Sequence, residues 1–519
     1  MQSVLRGVLF LSSLLCADCL SGQTDRVAAV EERKHAFLVQ LADSWMHAGY
    51  PVAWKQEEWK FDEIEPHWAG ALAALRLARA PTEITQANAF FSAMPLDEKI
   101  DPDMRVCEAL HSYYLFRDDP KLNSAAREHL LKLVHFKSAP RRIHPSIWRF
   151  GATENHAFMG HVWGLLVAQI DRDEETAEAL GRHVDAYIVE HIRKGWLEYN
   201  SPCYVEKEVS CLILVAEWAG DPLLRRKAEL GFDVLFAEHA ALNLEGMLCG
   251  PACRVYQCSR DGILPEELNH NSRGDAQCSG SYPMMYLLFG QGKPHFYGVL
   301  GAPLLATSRY VPPVAVHKLA VARAERGSYA FMARRPGSDH RLFRRNPALQ
   351  EPTPQAFNGR AYAWVTPDFV LGSFQEVQGR YGMLRSLPLS CVLRMAGSTR
   401  RALYTDLVPT PTKEAEAAEV DCVQHKNVCL GRGSVGQAYL ATQEFDEVME
   451  RDGWILLRAG GTFDFPYLNS PWDSGVVKLR FGSERLTIDV TDPRRPVRIE
   501  GTLDSPDSPQ EARAQRTSE

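Results

Sequence analysis

The stretch Tyr310–Arg335, YVPPVAVHKLAVARAERGSYAFMARR, divides a chain whose two sides read differently. Its first four residues, Tyr310-Val311-Pro312-Pro313, read as a linker, because neither proline has an N–H to give to a helix or a ladder. Its last eight, Ser328–Arg335 (SYAFMARR), are short and rich in residues that favour a pleated strand. On the N-terminal side, apolar residues recur every three or four positions. Phe37, Leu38, Leu41 and Trp45 share a face, as do Trp68, Ala71, Leu72 and Leu75. Phe158, Val162, Leu165, Leu166 and Gln169 repeat the spacing, then Leu180, Val184, Tyr187 and His191, then Val209, Leu212, Ile213 and Ala216. A further set is Leu224, Ala228, Gly231, Leu235 and Leu242. That period is the mark of amphipathic helices. Gly195, Ser201-Pro202, Gly220-Asp221-Pro222 and Gly246 punctuate them, so the loops are short and successive helices pack antiparallel.

On the C-terminal side the runs are short and β-rich: Ala361–Thr366, Phe369–Val377, Trp454–Ala459, Val476–Phe481 and Arg485–Val490. Gly, Pro, Asn and Asp bound them, which predicts an antiparallel sandwich. Many helix hairpins without a fixed sequence period favour a closed ring of inner and outer helices over a regular solenoid. The expected fold is therefore multidomain α + β: an N-terminal (α/α) toroid over 27–305 followed by a C-terminal antiparallel β-sandwich over 314–503. A tail at 504–519, rich in Ser, Pro, Gln and Arg, is expected to be disordered.

A chain of 519 residues is too long for one core, which agrees with two domains. Residues 1–22 carry Arg6, an apolar run from Val8 to Leu15 and then small and polar residues, the pattern of a secretory signal peptide. The run is too short to span a bilayer, and no later segment is expected to. Leu15 and Asp18 precede Cys16 and Cys19, where lipidation asks for a small residue, so simple cleavage is the expectation, with a secreted or periplasmic product. Ten of the 12 cysteines follow this segment, an even number that suits disulfides in an exported chain. Cys422 and Cys429 flank a short polar loop and are the expected pair; Cys249, Cys253, Cys258 and Cys278 lack the CxxC spacing of a strong zinc site. A net charge of -7 leaves no basic footprint for nucleic acid, so an anionic partner would need a local cluster of Arg, Lys or His.

Four polar stretches interrupt the apolar pattern. In RFGATENHAFMGH (149–161), Thr153 can cap a helix whose first turn holds Glu154, Asn155 and His156, where the dipole favours an anion. In GWLEYNSPCYVEKE (195–208), Trp196 and Tyr199 are rings that could stack on sugars or lie in the core, and Tyr204 opens a helix after a Ser-Pro break. GMLCGPACRVYQC (246–258) carries Arg254 and Tyr256 two residues apart, on one side of an extended loop. NHNSR (269–273) supplies His270 and Arg273 as possible substrate contacts.

These residue types suit β-elimination in a uronic-acid polymer. The C5 proton of a uronate is weakly acidic, and its removal builds charge on the neighbouring carboxylate. Amide, imidazole and guanidinium groups placed there stabilise that charge. A Tyr or His takes the proton, and a nearby Arg makes Tyr a better base by lowering its pKa. No metal or cofactor is needed.

TENHAFMG, GWLEYNSPCY and GPACRVY, followed by a late β domain, resemble the α/α-toroid polysaccharide lyases. The nearest resemblance is to alginate and glucuronan lyase-like families, with heparinase-type lyases more distant. The resemblance implies Asn155 and His156 for carboxylate neutralisation, with His156 also a candidate base, and Arg254 as charge stabiliser. It implies either Tyr204 or Tyr256 as the catalytic tyrosine, an anionic polysaccharide as substrate and no cofactor. Two other readings stay open. Glycoside hydrolysis on the same scaffold would use two carboxyl groups from Glu154, Glu198, Glu206 and Glu208. A non-catalytic glycan-binding protein would use the helical ring as a docking surface.

Overall fold

The computed structural model describes residues 18–48, 61–94, 102–135, 154–196, 198–201, 204–252, 281–292, 294, 301–335, 359–375, 386–395, 398–407, 420–433, 437–440, 447–451, 454–459, 475–480 and 486–489. Helices come first: α1 (Asp18–Ala48), α2 (Phe61–Leu77), α3 (Pro81–Ala93), α4 (Pro102–Phe116), α5 (Ser124–Val134), α6 (Glu154–Asp171), α7 (Glu174–Lys194), α8 (Val205–Trp218) and α9 (Pro222–Leu242). A small hairpin, β1 (Asn243–Leu244) and β2 (Met247–Leu248), follows. Four shorter helices come next: α10 (Ser281–Phe289), α11 (Gly301–Thr307), α12 (Val314–Val321) and α13 (Arg323–Arg326). Among the described residues no helix is long and apolar enough to cross a membrane.

Local chemistry fixes several of these boundaries. Asn123 and Asp173 each accept an N–H of the first turn of the helix they precede, from Ala126 at 2.8 Å and Thr176 at 3.1 Å. Asp221 does the same for Leu223 ahead of Pro222 at the start of α9. Such caps satisfy donors that the helix cannot pair itself. At the other end of α7, Gly195 takes a left-handed φ of 80°, which stops the helix at low cost.

The helices pack as hairpins: α1 on α2, α2 on α3, α4 on α5, α6 on α7 and α8 on α9. The most enclosed is α8, which touches α4, α6, α9 and α11; every residue from Val205 to Val215 is buried. The end of the helical region returns to its beginning. α1 packs on α10 and α11, and two of its basic side chains bind carbonyls of α10 and of the segment that follows α11. Arg33 donates to Leu287 O and Leu288 O, both at 3.1 Å. Lys34, buried at 1% exposure, donates to Ser308 O at 2.8 Å and Tyr310 O at 2.9 Å while paired with Glu31.

Pro313 is extended (φ -56°, ψ 154°), but strands do not follow the Tyr310–Pro313 segment directly. α12 and α13 intervene, with α12 packed on α9, and the sheet begins at Tyr329. The β region holds β3 (Tyr329–Arg335), β4 (Gly359–Val365), β5 (Phe369–Gln375), β6 (Ser386–Met395), β7 (Ser398–Leu407), β8 (Val420–His425), β9 (Val428–Gly433), β10 (Gln437–Leu440), β11 (Glu447–Arg451), β12 (Trp454–Ala459), β13 (Gly475–Arg480) and β14 (Leu486–Asp489). A six-stranded antiparallel sheet has the order β10-β7-β6-β5-β4-β3, and two three-stranded sheets are β11-β12-β13 and β14-β9-β8. The β8–β9 hairpin docks on β5 through Gln424, which donates to Leu371 O at 2.9 Å and accepts from Ser373 Oγ at 2.7 Å.

That hairpin corrects the expected Cys422–Cys429 bridge. Its backbone register sets Cys422 opposite Gly431 and Cys429 opposite Gln424, so the two residues are not cross-strand partners, and Cys429 is a buried free thiol. Residues 1–17 of the expected signal peptide, with Cys16, and the tail at 504–519 lie outside the described residues; Asp18 to Gly22 belong to α1.

Candidate functional site

The turn between α7 and α8 is the hub of the site. Ser201 N–H returns to Glu198 O at 3.2 Å, and Asn200 sits at φ 52°, a left-handed conformation that Asn tolerates. Tyr204 takes the cap position of α8, with its N–H donated to Ser201 Oγ at 3.1 Å. Three carboxylates surround this turn in sequence, and all are buried: Glu198, Glu206 and Glu208 are 3%, 3% and 2% exposed. Lys207, equally buried, pairs with Glu206 at 3.2 Å.

Two tethers tie the turn to the other stretches singled out above. Glu198 Oε2 accepts the backbone N–H of Asn155, at 3.2 Å, in the first turn of α6. Asn200 Nδ2 donates to Cys249 O at 2.9 Å and to Pro251 O at 3.0 Å, just past the β1–β2 hairpin. The chain of TENHAFMG, that of GWLEYNSPCY and the start of GPACRVY therefore meet at one place. The β region closes over it. Gly372 on β5 lies so near the 250–251 backbone that a Cβ there would be 2.5 Å from Gly250 Cα and 2.6 Å from Pro251 Cδ. Tyr199 meets Phe374 of β5 edge-on, with centroids 6.0 Å apart.

Of the expected site residues, Asn155 is buried at 1% exposure and Tyr204 is half-buried. The side chains of Glu154 and His156, and the whole of Arg254, Tyr256, His270 and Arg273, lie outside the described residues. Two expectations change. Trp196 and Tyr199, offered as sugar platforms, are 5% and 2% exposed. Trp196 leans on His191 at 4.2 Å and on Phe158 at 6.2 Å, so its faces already meet protein rings. The start of α6 is also met from within: Glu198 accepts the Asn155 N–H. Asn200 was not singled out from the sequence. Its signal was an Asn ahead of Ser-Pro, a residue type that accepts a left-handed turn and still offers an amide.

Among the described residues no group of three or more His, Cys, Asp or Glu could hold a metal ion. A groove of about 750 Å³ opens between the C-terminal half of α8, α9 and residues 308–313. It sits at the far end of α8 from Tyr204, and its charges pair among themselves: Arg309 with Glu217 at 2.7 Å and Arg226 with Glu229 at 2.6 Å. No protein-family model, curated protein or solved structure matches the chain.

Proposed function

We propose that this is an exported polysaccharide lyase that cleaves a uronic-acid polymer, alginate-like or glucuronan-like, by β-elimination. The helices would form an (α/α) toroid and the strands a β-sandwich, with the catalytic groove where the two adjoin. The return of α1 onto α10 and α11 supports the toroid, and the docking of the β8–β9 hairpin on β5 supports the sandwich. The observation that carries the functional reading is the pair of tethers, Asn155–Glu198 and Asn200–Cys249/Pro251, which draw three distant polar stretches to one locus.

In this mechanism the Asn155 amide, His156 and Arg254 stabilise the charge that develops on the uronate carboxylate. Tyr204 or Tyr256 removes the C5 proton. The electron pair forms the C4–C5 double bond and expels the C4 oxygen, which takes a proton from an acid of the site. Glu198 acts one step back, holding the turn of α6 that carries Asn155 and His156.

A second reading is favoured by one observation: Glu198, Glu206 and Glu208 are buried carboxyl groups beside the same turn, the raw material of a glycoside hydrolase. Incubation with alginate, glucuronan, heparinoid and pectic polymers separates the two. Elimination leaves an unsaturated uronate that absorbs in the ultraviolet, whereas hydrolysis yields new reducing ends without it. His156→Ala and Arg254→Ala are each expected to remove nearly all turnover; full activity in both would end the lyase reading.

A further inference from the structure

Two arginines of α13 stand where the helical and β regions adjoin, and both heads lie against the segment that ends α9 and opens β1. Arg323 donates from Nη1 to Asn243 O and from Nε to Thr366 O, the latter at 2.6 Å. Arg326 donates from Nη1 to Tyr329 OH at 2.5 Å, and that hydroxyl donates in turn to Ala241 O at 2.5 Å. The Arg326 guanidinium lies over the Tyr329 ring, 5.0 Å from its centroid. Three guanidinium nitrogens are left over. Arg323 Nη2, Arg326 Nε and Arg326 Nη2 are shut off from solvent and find no acceptor among the described residues. Neither arginine makes an ion pair there, and buried Asp368 lies near enough to favour the Arg323 charge without pairing with it. Burial lowers the Arg323 pKa to about 10 from 12.5, which still leaves it charged at neutral pH. Two enclosed charges of one sign are costly unless an opposite charge meets them.

We propose that Arg323 and Arg326 form a binding site for one oxyanion, a phosphate, a sulfate or the carboxylate of a sugar acid, which bridges the two guanidinium groups. Nε and Nη2 are the side-on edge of a guanidinium, whose parallel N–H bonds take two oxygens of one oxyanion. Arg326 offers that whole edge, and Arg323 Nη2 supplies a further donor. Both side chains are half-buried as a whole, so the anion reaches them from the surface. The carbonyls of Asn243 and Thr366 hold the Arg323 head in place, and Tyr329 holds the Arg326 head. The site does not rest on the lyase reading and requires no particular reaction.

The test titrates inorganic phosphate, sulfate and glucuronate, each separately, into the full chain in a calorimeter, with ionic strength held constant by chloride. Saturable binding of at least one anion, at one site per chain, is the expected result. Arg326→Gln should weaken it roughly tenfold or more, the worth of a charge-assisted hydrogen bond. Arg326→Lys keeps the charge but loses the side-on edge, and it should weaken binding too, which a diffuse charge effect would not do. Should the Gln variant fail to fold, the Lys variant carries the comparison. Glucuronate alone would identify a sugar-acid carboxylate as the ligand, the inorganic ions alone a phosphate or sulfate group, and all three a general oxyanion site. No saturable binding of any of the three, or affinity unchanged in both variants, would overturn the proposal.

Discussion

Glu198 reaches back 43 residues to accept the Asn155 N–H, a helix cap that lies far away in the chain. A carboxylate at that place satisfies an unpaired donor and meets the positive end of the helix dipole. Glu198→Ala is expected to cost about 1–3 kcal/mol in urea unfolding, and Glu198→Gln, which keeps an acceptor oxygen, clearly less. The Gln variant also separates the two functional readings. A positioning residue of a lyase should lose only a few-fold in kcat, whereas a hydrolase acid should lose roughly 10²–10⁴-fold. His111 offers a different single-residue test. It is buried on α4, with Nε2 2.7 Å from Thr307 Oγ1, and burial, aided by Arg76, drives its pKa down to about 3 from 6.5. Between those values the unfolded chain binds one proton more than the folded one. Stability present above pH 6.5 is therefore lost as the pH falls, by about 1.4 kcal/mol per pH unit for that proton. His239 acts in the same direction, while Asp233, raised to about 6 by burial, opposes both. His111→Gln should flatten the fall of urea stability between pH 6.5 and 4; an unchanged slope would mean that His111 is not the group titrating. None of this was legible residue by residue. Asn155 and Tyr204 stood out as polar groups at helix starts, but the tethers of Glu198 and Asn200 depend on contacts that no local spacing encodes.

At the level of elements, the sequence pattern was readable wherever one period dominated. Trp454–Ala459 is a strand over the very residues expected, and Ser328–Arg335 and Phe369–Val377 differ from β3 and β5 only at their ends. α3 and α4 escaped notice because their buried faces are not purely apolar. α4 buries Glu108, His111 and Ser112, and α3 buries Glu83 and Asn88, so the three- and four-residue rhythm is broken by polar groups paired inside. α10 and α11 are short and each contains a proline, Pro283 and Pro303, which reads as a break. Two contacts between elements make testable joints. Lys34→Met keeps the aliphatic bulk but leaves Ser308 O and Tyr310 O without their buried donor, so a loss of roughly 2–4 kcal/mol in urea stability is expected. Gly372→Ala sets a methyl group against backbone, which cannot yield as a flexible side chain would. A loss of about 1–3 kcal/mol is expected there, and a neutral result would show that β5 stands off from the 250–251 segment in solution.

At the scale of the molecule, the division at Tyr310–Pro313 marks a change of secondary structure more than a hinge between independent bodies. Among the described residues, several links cross the boundary besides the packing of α12 on α9. Tyr329 OH donates to Ala241 O at 2.5 Å, Arg323 donates to Asn243 O and to Thr366 O, Tyr199 abuts Phe374, and Gly372 admits the 250–251 backbone. The sequence announced two architectures, and that much could be read from the shift in period. It did not announce that the polar stretches of the first lie against a strand of the second, because Tyr199, Gly250 and Gly372 reveal their shared surface only when folded. Burying polar groups at that boundary commits them to each other, since an Arg323 or an Asn200 parted from its carbonyls would lose its hydrogen bonds. The helical and β regions should therefore unfold together. Scanning calorimetry of the full chain is expected to give one transition whose calorimetric and van't Hoff enthalpies agree. Asn200→Ala, by cutting the tether to Cys249 and Pro251, should lower that transition and, on the proposed lyase reading, reduce turnover of the uronic-acid polymer. Two transitions separated by more than about 10 °C in the unaltered protein would mean that the domains fold independently and that the junction is too weak to hold a groove between them.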